Sequence, residues 1–240
     1  MNVRIAYIEE PPFYWTGDDK RPTGADIEVA EAVLRAIGVT SIEYHLTSFG
    51  ELLPGVQEGR WDMNVPIYVT EERAREVAFS DPIWTIGDGF VVRSGNPKAL
   101  TSYEAVAARN DARLGLIREQ IQYAAAKAVG VTDSQIVILK SQPEGVAALM
   151  AEEIDAFPGT AIGSRAIAGA NPALESIDVD AGTSSDAPVG AFSFSKDNRG
   201  LLDAVNKQLR QYLGSADHRA RVAKYGFTQA EIDGVIGTAQ

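Results

Sequence analysis

Apolar and polar positions alternate from Val3 to Ile8, in "VRIAYI", and this period of two predicts a buried strand at once. The period then lengthens. In "GADIEVAEAVLRAIG" the residues Ile27, Ala30, Val33, Leu34 and Ile37 fall on one helical stripe that stops at Gly38. The same strand, loop and helix recur as strand "SIEYHL", a short helix opened by Pro54, strand "DMNVPI", helix "EERAREV" and extended "DGFVVR". Further on, "ARLGLI" precedes a helix over Glu119 to Val129, "QIVIL" one over Glu144 to Met150, and "IDAF" one over Ala161 to Ala168, before a strand "ALESIDV". Such alternation predicts an α/β fold of open sheets with helices on both faces.

Two stretches interrupt the rhythm. "RSGNPKAL", Arg93 to Leu100, is a Gly/Pro/Asn connector after an extended run, and "DAGTSSDAPVGAFSFS", Asp180 to Ser195, is a loop leading into a second extended run. Crossing between lobes at both places predicts one lobe from residues 1–91 plus 191–240 and another from residues 92–190. After Ser195 the pattern is helical, with Leu202, Val205, Leu209 and Tyr212 on one stripe.

Composition narrows the chemistry. The chain has 240 residues, 45% of them hydrophobic, a formal charge of -11 and a pI near 4.7, which argues against nucleic acid and anionic membrane as partners. The acidic surface suits a monomer. With no cysteine, and His45 and His218 as its two histidines, the sequence offers no disulfide, thiol nucleophile or zinc cage, and no metal or cofactor is expected. Neither a phosphate loop nor a GxGxxG fingerprint is present, and no apolar run is long enough to span a bilayer.

One residue breaks a local rule. In "VTEERAREVAFSDP", Thr70 is a good N-cap and Glu71 and Glu72 suit the positive end of a helix dipole, yet Arg73 occupies the third helical position, where a capping box places Glu or Gln. An arginine pointing into water would cost only a few tenths of a kcal/mol there. Alternatively it holds an anion, since its planar fork matches a carboxylate bidentately and the helix start adds N–H donors.

"GVQEGRWD", a short strand and "TEERAREVAFSDP" resemble the signature of periplasmic solute-binding proteins of the polar amino acid class, the receptors of ABC importers. The likeness extends from "RIAYIEEPPFYW" to "GAFSFSKDN" and "YGFTQAEI". It implies a type II periplasmic-binding-protein-like fold with two hinge crossovers, a ligand in the cleft and closure recognised by a membrane permease. It also implies a periplasmic location with the leader peptide removed, and gives Arg73 the ligand carboxylate. The residue that would hold an amino acid's ammonium falls at Thr160, which is no anion, and the second-lobe loop has Glu119 and Gln120 where Gly-Thr is usual, so the Gln120 side chain is the expected substitute.

Within that family, the receptors for ectoine and hydroxyectoine begin with a similar "EPPF". They box a cyclic cation with an acid and several aromatics. Matched residue by residue, Glu10 is the acid, and Phe13, Phe49 and Tyr68 are the box, with Thr160 offering a hydroxyl. A zwitterion with its positive charge spread over an amidine ring would need such groups. Phe13, Tyr14 and Trp15 cannot all face one pocket, and Phe13 is favoured over the other two; Trp61 and Trp84 read as structural, Glu9 as solvated, and Asp26 and Glu28 as a solvated helix face or start. Three rivals remain open: another amino acid or zwitterionic derivative, such as a betaine-like, guanidino or opine-type compound; a cyclohexadienyl dehydratase-like enzyme using Glu10 beside Arg73 for proton transfer; and the sensor domain of a signalling receptor.

Overall fold

The protein is described from a computed structural model that covers residues 1–179 and 188–236. Residues 180–187, which hold half of the second expected connector, lie outside them. The chain divides into two compact units, Met1–Ile86 with Pro188–Gln240, and Gly87–Ala187. Among the described residues no helix is long and apolar enough to cross a membrane.

In the first unit, Asn2–Tyr7 pairs in parallel with Ser41–Leu46 on one side and Met63–Tyr68 on the other. Val189–Phe194 then runs antiparallel to Met63–Tyr68, and the two-residue strands Ala78–Phe79 and Trp84–Thr85 pair with its far edge. All six residues of Met63–Tyr68 are buried, as a central strand requires. Pro66 has no N–H for a ladder, and it falls where the register with Val189–Phe194 shifts: Ile67 faces Ala191 but Asn64 faces Ser193. Such a bulge removes the need for the missing donor.

The "EPPF" loop folds onto the start of the helix Ala25–Ala36. The Pro12 and Phe13 carbonyls accept the Ala25 and Asp26 N–H groups, both at 3.0 Å, so the loop satisfies donors that a helix start leaves orphaned. Gly24 makes this possible. It has φ 130, and a Cβ there would lie 2.2 Å from the Phe13 carbonyl oxygen. Near the C-terminus, the helix Arg199–Tyr212 buries Leu201, Val205 and Leu209, whereas Leu202 is only half-buried, one position off the expected stripe.

The second unit's sheet runs in the order Ile136–Leu139, Leu114–Ile117, Ala156–Thr160, Asp88–Arg93, Leu174–Asp178. The first three strands are mutually parallel, and Asp88–Arg93 is antiparallel to both its neighbours. Its core gathers Phe90, Val92, Leu100, Val106, Leu114 and Leu116. The whole of Asp88–Arg93 is laddered here, and the whole of Val189–Phe194 in the first unit. The chain therefore changes unit before each of these strands, at Gly87 and Pro188, and the Arg93–Leu100 connector lies within the second unit. A strand sharing one continuous ladder cannot be divided between two sheets.

Candidate ligand-binding site

Arg73 is placed by its helix. Glu71–Glu76 starts at Thr70, whose hydroxyl accepts the Arg73 N–H at 3.2 Å, which fixes the arginine as the third helical residue. Its side chain turns inward: Arg73 is 8% exposed. The Nη1–H donates to the Tyr68 carbonyl at 2.7 Å, and the guanidinium lies over the Phe49 ring, 5.1 Å from its centroid. Burial pulls the Arg73 pKa below its usual value, while Tyr14, Glu72 and Glu10 oppose that shift. An arginine still carries its charge at neutral pH. The result is a desolvated cation with its planar fork held against an aromatic face.

Glu10 supplies the opposite charge. Its backbone closes the "EPPF" turn by exchanging bonds with Tyr14: Glu10 N–H donates to the Tyr14 carbonyl at 2.8 Å, and the Glu10 carbonyl accepts from Phe13 and Tyr14 at 3.1 and 3.3 Å. The Tyr14 hydroxyl is shared between Glu10 Oε2 at 3.4 Å and the Pro66 carbonyl, at the bulge, at 3.2 Å. Burial pushes the Glu10 carboxyl up to about 7, against the pull of the Tyr14 hydroxyl and the Arg73 guanidinium. Burial, Glu10 and Asp26 raise the Tyr14 phenol well above its ordinary value, so it stays a neutral donor.

The aromatic box is only partly realised. Phe49, half-buried in the turn Phe49–Glu51, stacks on Arg73 and presents a face. Tyr68 is 7% exposed, its hydroxyl donates to the Ile86 carbonyl at 2.9 Å, and its ring meets Trp84 edge-on at 5.3 Å. What it brings to Arg73 is its carbonyl. Phe13 is core: at 1% exposure, its ring packs on Tyr14, Trp84 and Phe227 at 6.2, 5.7 and 5.7 Å, because the turn that aims Glu10 one way drives Phe13 under the helix start. Trp61 and Trp84 are buried structural residues, as expected. Glu9 differs from the solvated residue expected, since its carboxylate accepts the Thr16 hydroxyl at 2.5 Å and backbone N–H at 3.1 Å.

Asp26 is the residue sequence reading missed. It is 1% exposed, and the Trp84 Nε1–H donates to its Oδ2 at 3.3 Å. Burial holds its carboxyl well above the usual range, with Trp84 opposing and Glu10 reinforcing. A signal was present, because positions 26, 30, 33 and 37 continue the apolar stripe of the helix through the acid.

In the second unit, Gln120 and Thr160 both stand at helix starts. Gln120 precedes Ile121–Ala128 without a side-chain cap bond, and Thr160 precedes Ala161–Ala170 with its Oγ1 accepting the Gly163 N–H at 3.0 Å.

Residues 3–229 match the bacterial extracellular solute-binding proteins, family 3, and the chain belongs to that family. Its fold is the type II periplasmic-binding-protein fold, with a mixed sheet flanked by helices in each unit. Among relatives, a probable amino-acid ABC transporter periplasmic-binding protein of Sinorhizobium fredii, y4tE, is 28% identical over 242 residues, covering 96% of this chain and 78% of its own. The crystal structure of EhuB in complex with hydroxyectoine superposes with a TM-score of 0.84 at 27% identity, covering 95% of this chain and 89% of that one. An ancestral arginine-binding protein bound to arginine gives a TM-score of 0.82 at 25% identity, covering 93% and 97%.

Proposed function

We propose that this solute-binding protein is a periplasmic, monomeric receptor for a small zwitterionic carboxylate, an ectoine-like solute or an amino acid, which it delivers to the permease of an ABC importer without turning it over. The observation that carries the reading is Arg73, buried at 8% exposure and backed by Phe49. A buried, oriented guanidinium is stabilised by a carboxylate that replaces its lost hydration. Glu10 then takes the ligand's positively charged N–H groups, and Phe49 supplies the π face. Tyr68 orients Arg73 through its carbonyl, while Phe13 supports the turn from the core. The hydroxyectoine complex of EhuB and the amino-acid designation of the Sinorhizobium relative favour these two cargo classes.

A thermal-shift panel of ectoine, hydroxyectoine, amino acids and guanidino compounds identifies the cargo, because a binder raises the melting temperature by mass action. Calorimetry on Arg73→Ala then tests the role. Truncating one side of a buried charge pair costs about 3 kcal/mol, roughly a hundredfold in affinity. Unchanged affinity would exclude the role, and turnover of prephenate or arogenate by the wild type would replace the receptor reading with an enzymatic one.

A further inference from the structure

Asp26 is buried in the first unit without a role in the reading above, and its contacts form a closed circuit. Its backbone N–H donates to the Phe13 carbonyl at 3.0 Å, in the turn that carries Glu10. The Phe13 ring packs on the Trp84 ring, with centroids 5.7 Å apart. Trp84 is 4% exposed, and its Nε1–H returns to the Asp26 carboxyl at 3.3 Å. Among the described residues, that N–H is the carboxyl's one hydrogen-bond donor. Trp84 reaches the Arg73 side as well. Gly190 is the ladder partner of both Tyr68 and Trp84, so the three residues stand side by side on adjacent strands. Directly opposed residues project from the same face of a sheet. Gly190 leaves that face open, since a Cβ there would lie 2.1 Å from the Trp84 ring. The indole lies across the gap and meets the Tyr68 ring edge-on at 5.3 Å. Tyr68 in turn gives its carbonyl to Arg73 at 2.7 Å. All of these residues belong to the first unit.

The unit's other buried tryptophan shows what a merely structural acceptor looks like. Trp61 is 5% exposed, and its Nε1–H donates to Oδ1 of Asn64, three residues away, at 2.5 Å. A neutral amide close in sequence satisfies the indole there. Trp84 instead bonds an acid 58 positions back. Burying a carboxyl is unfavourable, and here burial, opposed by the Trp84 bond and reinforced by Glu10, drives the acid toward its proton-bearing form. In return, one indole pinned at its nitrogen fixes both the Phe13 ring under the Glu10 turn and the Tyr68 ring beside Arg73. Side chains locked by packing and by a hydrogen bond behind them are what hold binding groups in place.

We propose that Asp26 is a positioning residue of the ligand site, acting through Trp84 to hold the Glu10 turn and the Tyr68 carbonyl where Glu10 and Arg73 need them. This rests on the reading that Arg73 holds the ligand carboxylate, and it can fail while that reading stands. The full chain is titrated calorimetrically with hydroxyectoine and with arginine, its fold checked by circular dichroism. The proteins compared are wild type, Asp26→Asn, Asp26→Leu, Trp84→Phe, Asp26→Leu combined with Trp84→Phe, and Arg73→Ala. Wild type should bind at least one probe. Asp26→Leu leaves the indole N–H without an acceptor and should weaken binding by about tenfold or more. Asp26→Asn keeps a neutral acceptor oxygen and should stay within about threefold of wild type. Trp84→Phe removes the N–H, so adding Asp26→Leu to it should change affinity by less than about threefold, a coupling that a general loss of stability would not produce. Three results overturn the assignment: Asp26→Leu binding like wild type, Asp26→Asn losing as much as Asp26→Leu, or Asp26→Leu losing equally in both backgrounds. In each of them the Arg73 reading stands if Arg73→Ala has lost binding. Arg73→Ala binding like wild type overturns the underlying reading, and a wild type that binds neither probe overturns both. Should Asp26→Leu not fold, the indole 15N–1H resonance of Trp84, identified by its loss in Trp84→Phe, decides. Saturating the wild type with the bound probe should shift it, and an unmoved resonance overturns the assignment.

Discussion

Replacing Glu10 with glutamine should make the empty protein more stable and the receptor worse. The glutamine keeps the shape of the side chain and an oxygen for the Tyr14 hydroxyl, but removes the charge. Moving a carboxyl from its ordinary 4.5 to about 7 corresponds to roughly 3 kcal/mol, and partial solvent access at Glu10 discounts this to about 2 kcal/mol. The unfolded chain titrates at the ordinary value and the folded protein near 7, so the folded state binds the proton more tightly between them. The stability linked to Glu10 is fully present below pH 4.5 and is lost as the pH rises through about 7. Wild type and Glu10→Gln should then be similar in acid, while at about pH 8 the variant should gain roughly 2 kcal/mol, a melting temperature about 4–8 °C higher. Asp26 is also raised but is present in both proteins and largely cancels in the comparison. Urea denaturation of both proteins between about pH 4.5 and 8 measures the difference, and ligand titration at pH 8 should show the variant weakened. A stability difference independent of pH, or a variant less stable at pH 8, would refute the argument that burial dominates at Glu10.

The core and the caps make further expectations. Phe13→Ala should cost about 3–5 kcal/mol in denaturant unfolding, since it empties the space between Tyr14, Trp84 and Phe227. In Gly55→Ala the new Cβ would lie 1.9 Å from the Trp61 ring, which is tied to Asn64 by a 2.5 Å bond and cannot easily retreat, so a loss of about 1–3 kcal/mol is expected by thermal melting. Thr70→Ala removes the hydroxyl that accepts the Arg73 N–H and should cost about 1 kcal/mol, read by urea denaturation, with weaker ligand binding by calorimetry. Asp155→Asn should destabilise by roughly 3 kcal/mol at neutral pH by leaving Lys98 and Arg93 without their anion. Because the folded Asp155 pKa lies below the unfolded value of 3.8, that gap should close as wild type is acidified below about pH 4, a trend that urea midpoints at several pH values would reveal.

Local pattern was enough to locate the strands of four residues or more and most of the helices, though not the two-residue strands or the helix Tyr103–Ala107, because side-chain period depends on backbone geometry alone and needs several residues to show. It was also enough to single out Arg73, since a cation at the third position of a helix with a threonine cap is anomalous without reference to any distant residue. It was not enough for the "EPPF" turn. Consecutive residues in a loop have no period, so that Phe13 rather than Glu10 joins the core depended on the helix start that the loop caps and on the rings of Trp84 and Phe227, both far along the chain. Asp26 lay on the apolar stripe, yet its burial rests on a hydrogen bond from Trp84, 58 positions away. The changes of unit at Gly87 and Pro188 were likewise set by which strands accept Asp88–Arg93 and Val189–Phe194 as ladder partners. Hydrogen-bond partners across a sheet are a non-local choice, and no window of neighbouring residues contains them.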